Sequence, residues 1–380
     1  MTHPRTDFPL TLSIGIMAWN EEGSLGPMLE SLFGQTVFGR LSSRGEGCEV
    51  VCLANGCTDR TVEVARETIA SMVRAKRIPP ESSARVEDIR EPGRNNAWNR
   101  FVHEFSGRAT RYICLMDADI LFNRADTMEL VVAALEGDPL LGAASDTPVK
   151  DIAIKGRPTL RERLTLATSD MTGTIEGKLN GMLYCMRADI ARNLYIPRDA
   201  GANDDGLIKA VICTDFFRAP ADPRKVVSVA GATHLYQPYL SLGDILNNQK
   251  RQMIGQTTLH VIIAYLKALP EADRTHLAAT LRRLEERNPD WLKEQIEAHI
   301  ERERFFWRLF PDVLTFRWRR LGRMRGTAKV THFPAAAAGF LITLVACWRA
   351  SRFLRGGVAA YWPKTLRKPI LPATEASGGE

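Results

Sequence analysis

The first half of the chain alternates short apolar runs with amphipathic segments. LTLSIGIMAW (10–19) and CEVVCLA (48–54) are continuous apolar runs, which predict buried strands. Apolar residues at helical spacing follow each run, over Leu25–Phe33 and Thr58–Arg74. A third strong run is RYICLM (111–116). Strands that alternate with crossover helices predict a mostly parallel sheet with helices on both faces.

Weaker patterns complete the predicted order of elements. A short strand at Val86–Ile89 precedes a helix from about Asn95 to Phe105, and a further helix covers Met128–Leu135. Residues 183–194 predict a strand that leads into a helix. Residues 242–302 are charged and helical in period, which is typical of solvated helices packed on a main domain.

The C-terminal tail has a different composition. Aromatic residues and arginines interleave in 305–325, which is typical of an amphipathic segment at a membrane interface. Val330–Trp348 then runs for 19 residues with His332 as its only ionisable side chain. A helix of that length would span about 28 Å, close to the thickness of a bilayer core. We expect the tail to associate with a membrane, on its surface or as a single crossing; the alternative is a buried core helix.

These patterns divide the chain into three predicted parts. An α/β domain covers residues 8–240, a helical extension covers 241–302, and the basic, aromatic and apolar tail covers 303–380. The formal charge of +7 is uneven, because residues 301–380 hold 15 basic and 5 acidic residues and the rest of the chain is slightly negative. The main domain is therefore not expected to bind nucleic acid, whereas the tail is suited to an anionic surface.

The cysteines indicate the expected compartment. The chain has seven, scattered and without a Cys-x-x-Cys pair, which favours a reducing environment over a disulfide framework or a zinc site. The first residues show no signal-peptide pattern. We expect the protein at the cytoplasmic face of the cell membrane, the bacterial inner membrane being the best fit.

Polar clusters lie where the predicted strands end. AWNEE (18–22) follows the first strand, NGCTDRT (55–61) the second and DAD (117–119) the third strong strand, while PGRNNAWN (92–99) opens a helix. Ligands of open α/β sheets bind at the carboxyl ends of the strands. The clusters are therefore expected to form one site.

Asp117 and Asp119 carry the most specific chemistry in these clusters. Carboxylates at i and i+2 just beyond a strand can divide a task between them. One contacts a hydroxyl or base, and the other coordinates a hard divalent cation such as Mg²⁺, which commonly bridges substrate phosphates.

AWNEE, NGCTDRT, PGRNNAWN and MDAD, in that order and spacing, resemble the nucleotide-sugar-binding half of the family 2 glycosyltransferases. The resemblance covers residues 10–125 and continues more loosely through 177–190 and 202–207. It implies a GT-A fold with a Rossmann-like, mostly parallel sheet, and inverting transfer of a sugar from a nucleotide-diphosphate donor to an acceptor hydroxyl. It also implies a divalent metal cofactor, Mn²⁺ or Mg²⁺.

The resemblance further implies roles for individual residues. Asp117 would contact the nucleoside and Asp119 the metal, and Asp204 or Asp205 would be the general base unless they cap the helix that follows. His234 is either an additional metal ligand or a structural histidine. The implied donor-binding residues are Ala18, Asn20, Glu21, Asn55, Asp59, Arg94, Asn99, Asp117, Ala118 and Asp119.

Two departures from the family pattern change the expected substrate. Ala54 stands where many members have an aspartate that contacts the base, so Asn55 would have to substitute and the base stays open. The QxxRW motif of processive members is reduced to Arg251 within Asn248–Gln252, which favours addition of a single sugar. Arg251 and Gly181 are the acceptor-side candidates. Arg94 stands where the family often has lysine and would offset charge on the departing diphosphate, unless it is a surface arginine.

The expected function is sugar transfer in the synthesis of a polysaccharide or glycolipid precursor, with a carbohydrate or lipid-linked acceptor. A polyprenyl-phosphate glycosyltransferase is a variant of this function. A catalytically silent module that binds nucleotide sugars is a second alternative. A nucleotidyltransferase is a third, but the glycine-rich, lysine-bearing N-terminal loop of that class is missing.

Overall fold

The computed structural model describes residues 9–154, 179–201, 203–239, 241–303, 306–324 and 326–356. Its strands form one mixed sheet of eight strands in the order β3-β2-β1-β4-β7-β6-β8-β5. The strands are β1 (Leu10–Ala18), β2 (Gly47–Asn55), β3 (Ser83–Ile89), β4 (Tyr112–Asp117), β5 (Leu121–Phe122), β6 (Ala143–Lys150), β7 (Leu183–Arg187) and β8 (Val226–Tyr236).

Most strands of this sheet point the same way. β1 pairs in parallel with β2 and β4, β2 with β3, and β6 with β8. β7 is antiparallel to both β4 and β6, and β5 is antiparallel to β8. β6 and β8 therefore run in the same direction as β1–β4, and the prediction of a mostly parallel sheet is confirmed. The carboxyl ends of β1, β2, β4 and β8 lie at one edge together with the start of β7.

Seven helices of the described chain connect these strands. The predicted helix from Asn95 to Phe105 is α4 followed by a π-helical turn at Phe101–Phe105, in which Ser106 N donates to Phe101 O at 2.8 Å. The helices are α1 (Leu25–Phe33), α2 (Thr36–Ser43), α3 (Thr61–Arg74), α4 (Arg94–Arg100), α5 (Thr127–Gly137), α6 (Ala188–Arg192) and α7 (Asp204–Cys213).

The apolar runs form strands because both faces of the sheet are covered. Ile14 and Ile16 of β1 pack with Leu29 and Leu32 of α1 in one core layer. Residues of alternate register, such as Leu53 of β2, pack on the opposite side with Trp98, Phe101 and the C-terminal helices. Strands buried on both faces have continuous apolar sequences, which explains why the first three strands were predictable.

Residues after 241 form six further helices among the described residues. They are α8 (Leu242–Ala268), α9 (Glu271–Thr275), α10 (Leu277–Arg287), α11 (Trp291–Arg302), α12 (Pro311–Arg323) and α13 (Thr327–Arg355). Ile262, Leu266, Leu281 and Trp291 are buried in the same core layer as Trp98. The helical extension is thus part of the core and not a solvated hairpin on its surface.

The apolar stretch Val330–Trp348 lies within α13. Cys347, Ala350 and Leu354 of this helix are buried in the core layer shared with α8. Within the residue ranges given above, none of the helices has the length and hydropathy that a membrane crossing requires. The prediction of a crossing at this helix therefore finds no support, and the alternative of a helix packed on the core describes its inner face.

Candidate functional site

An open cleft of about 680 Å³ lies at the sheet edge where β1, β2, β4 and β8 end. The polar clusters that follow β1, β2 and β4 meet there with the start of α4 and of α7, as the sequence predicts. The predicted site residues that line the cleft are Ala18, Asn20, Glu21, Asn55, Arg94, Asp117, Ala118, Asp119, Gly181, Asp204, Asp205 and Arg251.

Arg94 connects the two sets of predicted carboxylates. Its Nη1 donates to Asp117 Oδ1 at 2.5 Å, its Nε to Asp204 Oδ2 at 3.3 Å, and its Nη2 to Gly181 O at 2.9 Å. The Arg94 side chain is only 17% exposed. Burial favours the neutral form of the guanidinium, but the charges of Asp117 and Asp204 outweigh burial and raise the pKa of Arg94 well above its usual value. Arg94 is therefore an organising cation inside the cleft and not a surface arginine.

Asp204 and Asp205 begin α7, where the helix dipole favours negative charge. The Asp204 side chain is 4% exposed and its carboxylate is held by Arg94. Asp205 is half-buried, and its Oδ1 accepts a hydrogen bond from Gly206 N at 2.8 Å. Both residues line the cleft, but only Asp204 forms the ion pair with Arg94.

The loops after β1 and β2 are joined to each other. Asn20 has a positive φ of 56°, which asparagine tolerates better than most residues. Its Oδ1 accepts a hydrogen bond from Thr58 N at 2.7 Å, and Glu21 N donates to Thr61 Oγ1 at 2.7 Å. These bonds fix the AWNEE segment against the NGCTDRT segment, so both loops present their cleft residues together.

Gly56 permits the close approach of a third loop. Its φ is +63°, and a Cβ atom at this position would lie 2.6 Å from Pro92 Cβ. The preceding Asn55 is buried, lines the cleft and has its Oδ1 without a hydrogen-bond partner in the described chain. An acceptor in this position is suited to a donor on a bound ligand.

Asp59 and Asn99 were predicted to bind the donor, but neither lines the cleft. Asp59 Oδ1 accepts hydrogen bonds from Thr61 N at 3.0 Å and Thr61 Oγ1 at 2.5 Å, so it supports the start of α3. Asn99 is buried, donates to Ile196 O at 2.7 Å and accepts from Ile196 N at 3.0 Å. Both side chains are used to hold loops, and these two predictions are corrected.

His234 also lies outside the cleft lining, and the geometry favours the structural alternative. It is fully buried in β8, and its Nδ1 lies 2.5 Å from Asp146 Oδ2. The other oxygen of Asp146 accepts from Asn180 Nδ2 at 3.1 Å, and Asn180 does line the cleft. The pair thus supports the cleft wall from below. In the part of the chain that the structure describes, no group of three or more His, Cys, Asp or Glu side chains is arranged to hold a metal ion.

Trp98 and Tyr184 form the buried floor under Arg94 and Asp204. Trp98 Nε1 donates to Tyr184 Oη at 2.8 Å, and both side chains are fully buried. Burial, together with the charge of Asp204, raises the pKa of Tyr184 well above its usual value, so this hydroxyl stays neutral. Trp98 is therefore a packing residue, as expected, whereas Trp19 lines the cleft.

Several cleft residues were missed from the sequence. Asn180 and Met182 precede β7, which begins at the cleft edge because it runs antiparallel to β4. The remaining missed polar residues share positions after β8 and on α7 and α8. They are Asn203, Tyr236, Tyr239, Asn248 and Gln252. The segment Asn248–Gln252 had been judged only by its poor match to QxxRW, although its helical spacing places Asn248, Arg251 and Gln252 on one face.

Comparison with protein families identifies the matched part of the chain. Residues 13–188 match the model described as glycosyl transferase family 2. This segment is a family 2 glycosyltransferase domain. It contains the loops from Ala18 to Asp119 and the segment before β7, whereas Asp204, Asp205 and the cleft residues of α8 lie beyond it. No match to a curated protein was found.

Two solved structures illustrate the similarity in fold. Glucosyl-3-phosphoglycerate synthase from Mycobacterium tuberculosis, in complex with Mn²⁺, UDP-glucose and phosphoglyceric acid, is 14% identical with a TM-score of 0.40. The match covers 69% of this chain and 81% of that one. Residues 1–349 of TarS from S. aureus are 13% identical with a TM-score of 0.45, and the match covers 91% of this chain and 92% of that one.

Proposed function

We propose that the chain is an inverting glycosyltransferase that transfers one sugar from a nucleoside-diphosphate sugar to an acceptor hydroxyl. The observation that carries this proposal is the Arg94 guanidinium, which binds Asp117 after β4 and Asp204 at the start of α7. One cation thereby holds a donor-side carboxylate next to the acid pair that would act on the acceptor. The match of residues 13–188 to family 2 supports the same reaction class.

The donor side fits a hard divalent cation. Asp117 and Asp119 both line the cleft directly after β4, and Mg²⁺ and Mn²⁺ prefer oxygen ligands of this kind. Asp119 would hold the metal, with Asp117 as the neighbouring carboxylate that Arg94 orients. When bound, the metal supplies positive charge near the departing diphosphate. His234 has no part in this set, because it is enclosed with Asp146.

The base is assigned to Asp205. Inverting transfer requires a carboxylate that can take the proton of the acceptor hydroxyl while the leaving group departs from the other side. The guanidinium 3.3 Å from Asp204 stabilises its charged form and makes it a weaker base. Asp205 lines the same cleft and is more exposed. Asp204 therefore positions Arg94, and Asp205 accepts the proton.

The acceptor occupies the part of the cleft formed by β8 and α8. Tyr236, Tyr239, Asn248 and Gln252 provide aromatic faces and hydrogen-bonding groups, which suit a carbohydrate. Arg251 adds a positive charge. A single-sugar transfer to a carbohydrate or lipid-linked acceptor, in the synthesis of a polysaccharide or glycolipid precursor, fits this lining.

The test is a screen of nucleotide sugars with the full chain, with and without Mn²⁺. We expect one donor to stabilise the protein in a metal-dependent way, by about 2.7 kcal/mol at a hundredfold excess over its dissociation constant. Asp119→Ala should lose the metal-dependent part of this gain. Asp205→Asn should keep donor binding and lower turnover by about 10²–10⁴-fold. Asp126→Asn is the matched control, since Asp126 is an exposed carboxylate outside the cleft.

Two results would contradict the proposal. If no nucleotide sugar stabilises the protein, the cleft is not a donor site. If the wild type binds donor and metal but neither transfers nor hydrolyses the sugar, the chain is a silent binding module. Full turnover in Asp205→Asn together with loss in Asp204→Asn would exchange the roles given to the two aspartates.

A further inference from the structure

The outward face of α13 is apolar. Leu341, Val345 and Trp348 are 61%, 46% and 49% exposed, and their spacing of four and three residues places them on one side of the helix. The opposite side, with Ala350 and Leu354, is buried against the core. The helix is therefore apolar on both sides, but the body of the protein covers only one of them.

Aromatic side chains extend this face onto α12. Phe333 and Trp318 are exposed, and their ring centroids lie 6.0 Å apart. Arg317 of α12 donates to Thr343 Oγ1 of α13, which fixes the two helices to each other. We call Trp318, Phe333, Leu341, Val345 and Trp348 the outer C-terminal face. Apolar patches of this kind on a soluble surface mark sites of interaction.

The charge around the outer C-terminal face is almost entirely positive. Residues 306–356 contain ten lysines and arginines and one acidic residue, Asp312. Arg319, Lys329 and Arg352 are exposed, and the Arg352 guanidinium lies 5.1 Å from the centre of the Trp348 ring. The partner of this face must therefore accept aromatic and aliphatic side chains and carry negative charge.

Charge complementarity decides between the possible occupants. Residues 357–380 of the same chain carry three basic and two acidic residues, so they bring no negative charge to the face. A second copy would place two strongly basic surfaces against each other, which is repulsive. A bilayer with anionic headgroups offers negative charge at its surface and an apolar layer below, at the depth that tryptophan and leucine side chains reach.

We propose that the outer C-terminal face lies flat on an anionic lipid bilayer, with the aromatic and aliphatic side chains inserted and the arginines at the headgroups. The inference is independent of the reaction, because it concerns a surface outside the cleft. It does fix where the cleft would be. Arg349 of α13 donates to Asn247 Oδ1 of α8 at 3.2 Å, and the next residue of α8, Asn248, lines the cleft.

The test is co-sedimentation of the full chain with phosphatidylcholine vesicles and with the same vesicles containing phosphatidylglycerol. We expect binding to the anionic vesicles that weakens as salt is raised, since exposed charges are screened. The triple variant Leu341→Ser, Val345→Ser, Trp348→Ser should bind at least about tenfold more weakly, since each replaced side chain loses its transfer from water to lipid.

The matched control is Val73→Ser, Leu140→Ser, Ile154→Ser, which removes three exposed apolar side chains from the α/β part of the chain. It should bind like the wild type. Equal binding by the serine variant of α13, equal loss in the control, or equal binding to neutral vesicles would each overturn the proposal. A dimer of the wild type in light scattering that the α13 variant abolishes would make a second copy the occupant instead.

Discussion

The sheet edge and the helices after residue 241 are held together by different interactions. At the sheet edge, polar side chains connect distant segments, as Arg94 does with Asp117 and Asp204 and Asn20 does with Thr58. In α8–α11, apolar side chains such as Leu266 are buried in one shared core layer. Directional bonds require particular residue types at particular positions, whereas apolar packing requires only volume and shape.

This difference predicts different consequences of substitution in the two regions. A change at the sheet edge should alter the chemistry of the cleft even where the protein stays folded. A change in the helical core should lower the free energy of unfolding and leave the chemistry of the folded molecules unaffected. The following predictions test the two halves of this comparison.

Arg94→Ala should have the largest effect, because it acts on both activity and stability. The substitution leaves the Asp204 carboxylate, 4% exposed, without its ion-pair partner, which should cost about 3 kcal/mol of unfolding free energy. It also releases Asp117 and the Gly181 carbonyl, so we expect turnover to fall by at least about a hundredfold. Urea unfolding and donor turnover at saturating substrate are the measurements.

Arg124→Ala is the control for Arg94→Ala. Arg124 also pairs with a carboxylate, Asp126, but both side chains are well exposed. Exposed ion pairs contribute about 0–1 kcal/mol, so this variant should remain close to the wild type. Comparable losses in the two variants would mean that the buried position of Arg94 has no special role.

Leu266→Ala should affect stability alone. Leu266 of α8 is fully buried in the core layer that includes Trp98 and Trp291. Its truncation should lower the free energy of unfolding by about 2–5 kcal/mol, while turnover per folded molecule changes little. Leu140→Ala, at an exposed position, is the control. A fall in turnover without loss of stability would show that the helical core acts directly on the cleft.

The same difference explains what the sequence could predict. Asn20, Asn55, Arg94 and Asp117 each follow a recognisable strand or open a helix, and the rule that ligands bind at carboxyl strand ends brings them together. Asp59 and Asn99 belong to the same motifs but turn away from the cleft. A one-residue position within a loop decides which way a side chain points, and the polar pattern does not encode that choice.

The helical region was less predictable because an apolar residue does not specify its partner. The run in Val330–Trp348 satisfies the pattern of a membrane helix and of a core helix alike. Only the packing of Cys347, Ala350 and Leu354 on the body of the protein distinguishes the two. Tyr236 and Tyr239 were missed for a related reason, since β8 reaches the cleft edge only through its pairing with β6.

His103 lies where the two regions meet, and its titration gives the smallest predicted effect. It follows α4, and its Nε2–H donates to Leu194 O at 3.0 Å. Burial lowers the pKa of His103 to about 4, from an ordinary value of 6.5, and the charges of Arg282 on α10 and of Arg192 lower it further, against a smaller opposite effect of Glu104. Below pH 6.5 the unfolded chain binds a proton that the native state does not, so stability should fall between pH 6.5 and 4, by about 2 kcal/mol.

Replacing Arg282 tests whether the helical region sets this titration. Arg282→Gln removes a positive charge that acts on His103, so the pKa of His103 should rise and less stability should be lost in acid. His103→Gln should remove the contribution entirely and serves as the reference for all other titrating groups. The measurements are unfolding free energies across this pH range and the pKa of His103 from the pH dependence of its ring proton resonances. An unchanged pKa in Arg282→Gln would leave burial within the α/β part as the whole cause, and the two regions would then be electrostatically independent at this contact.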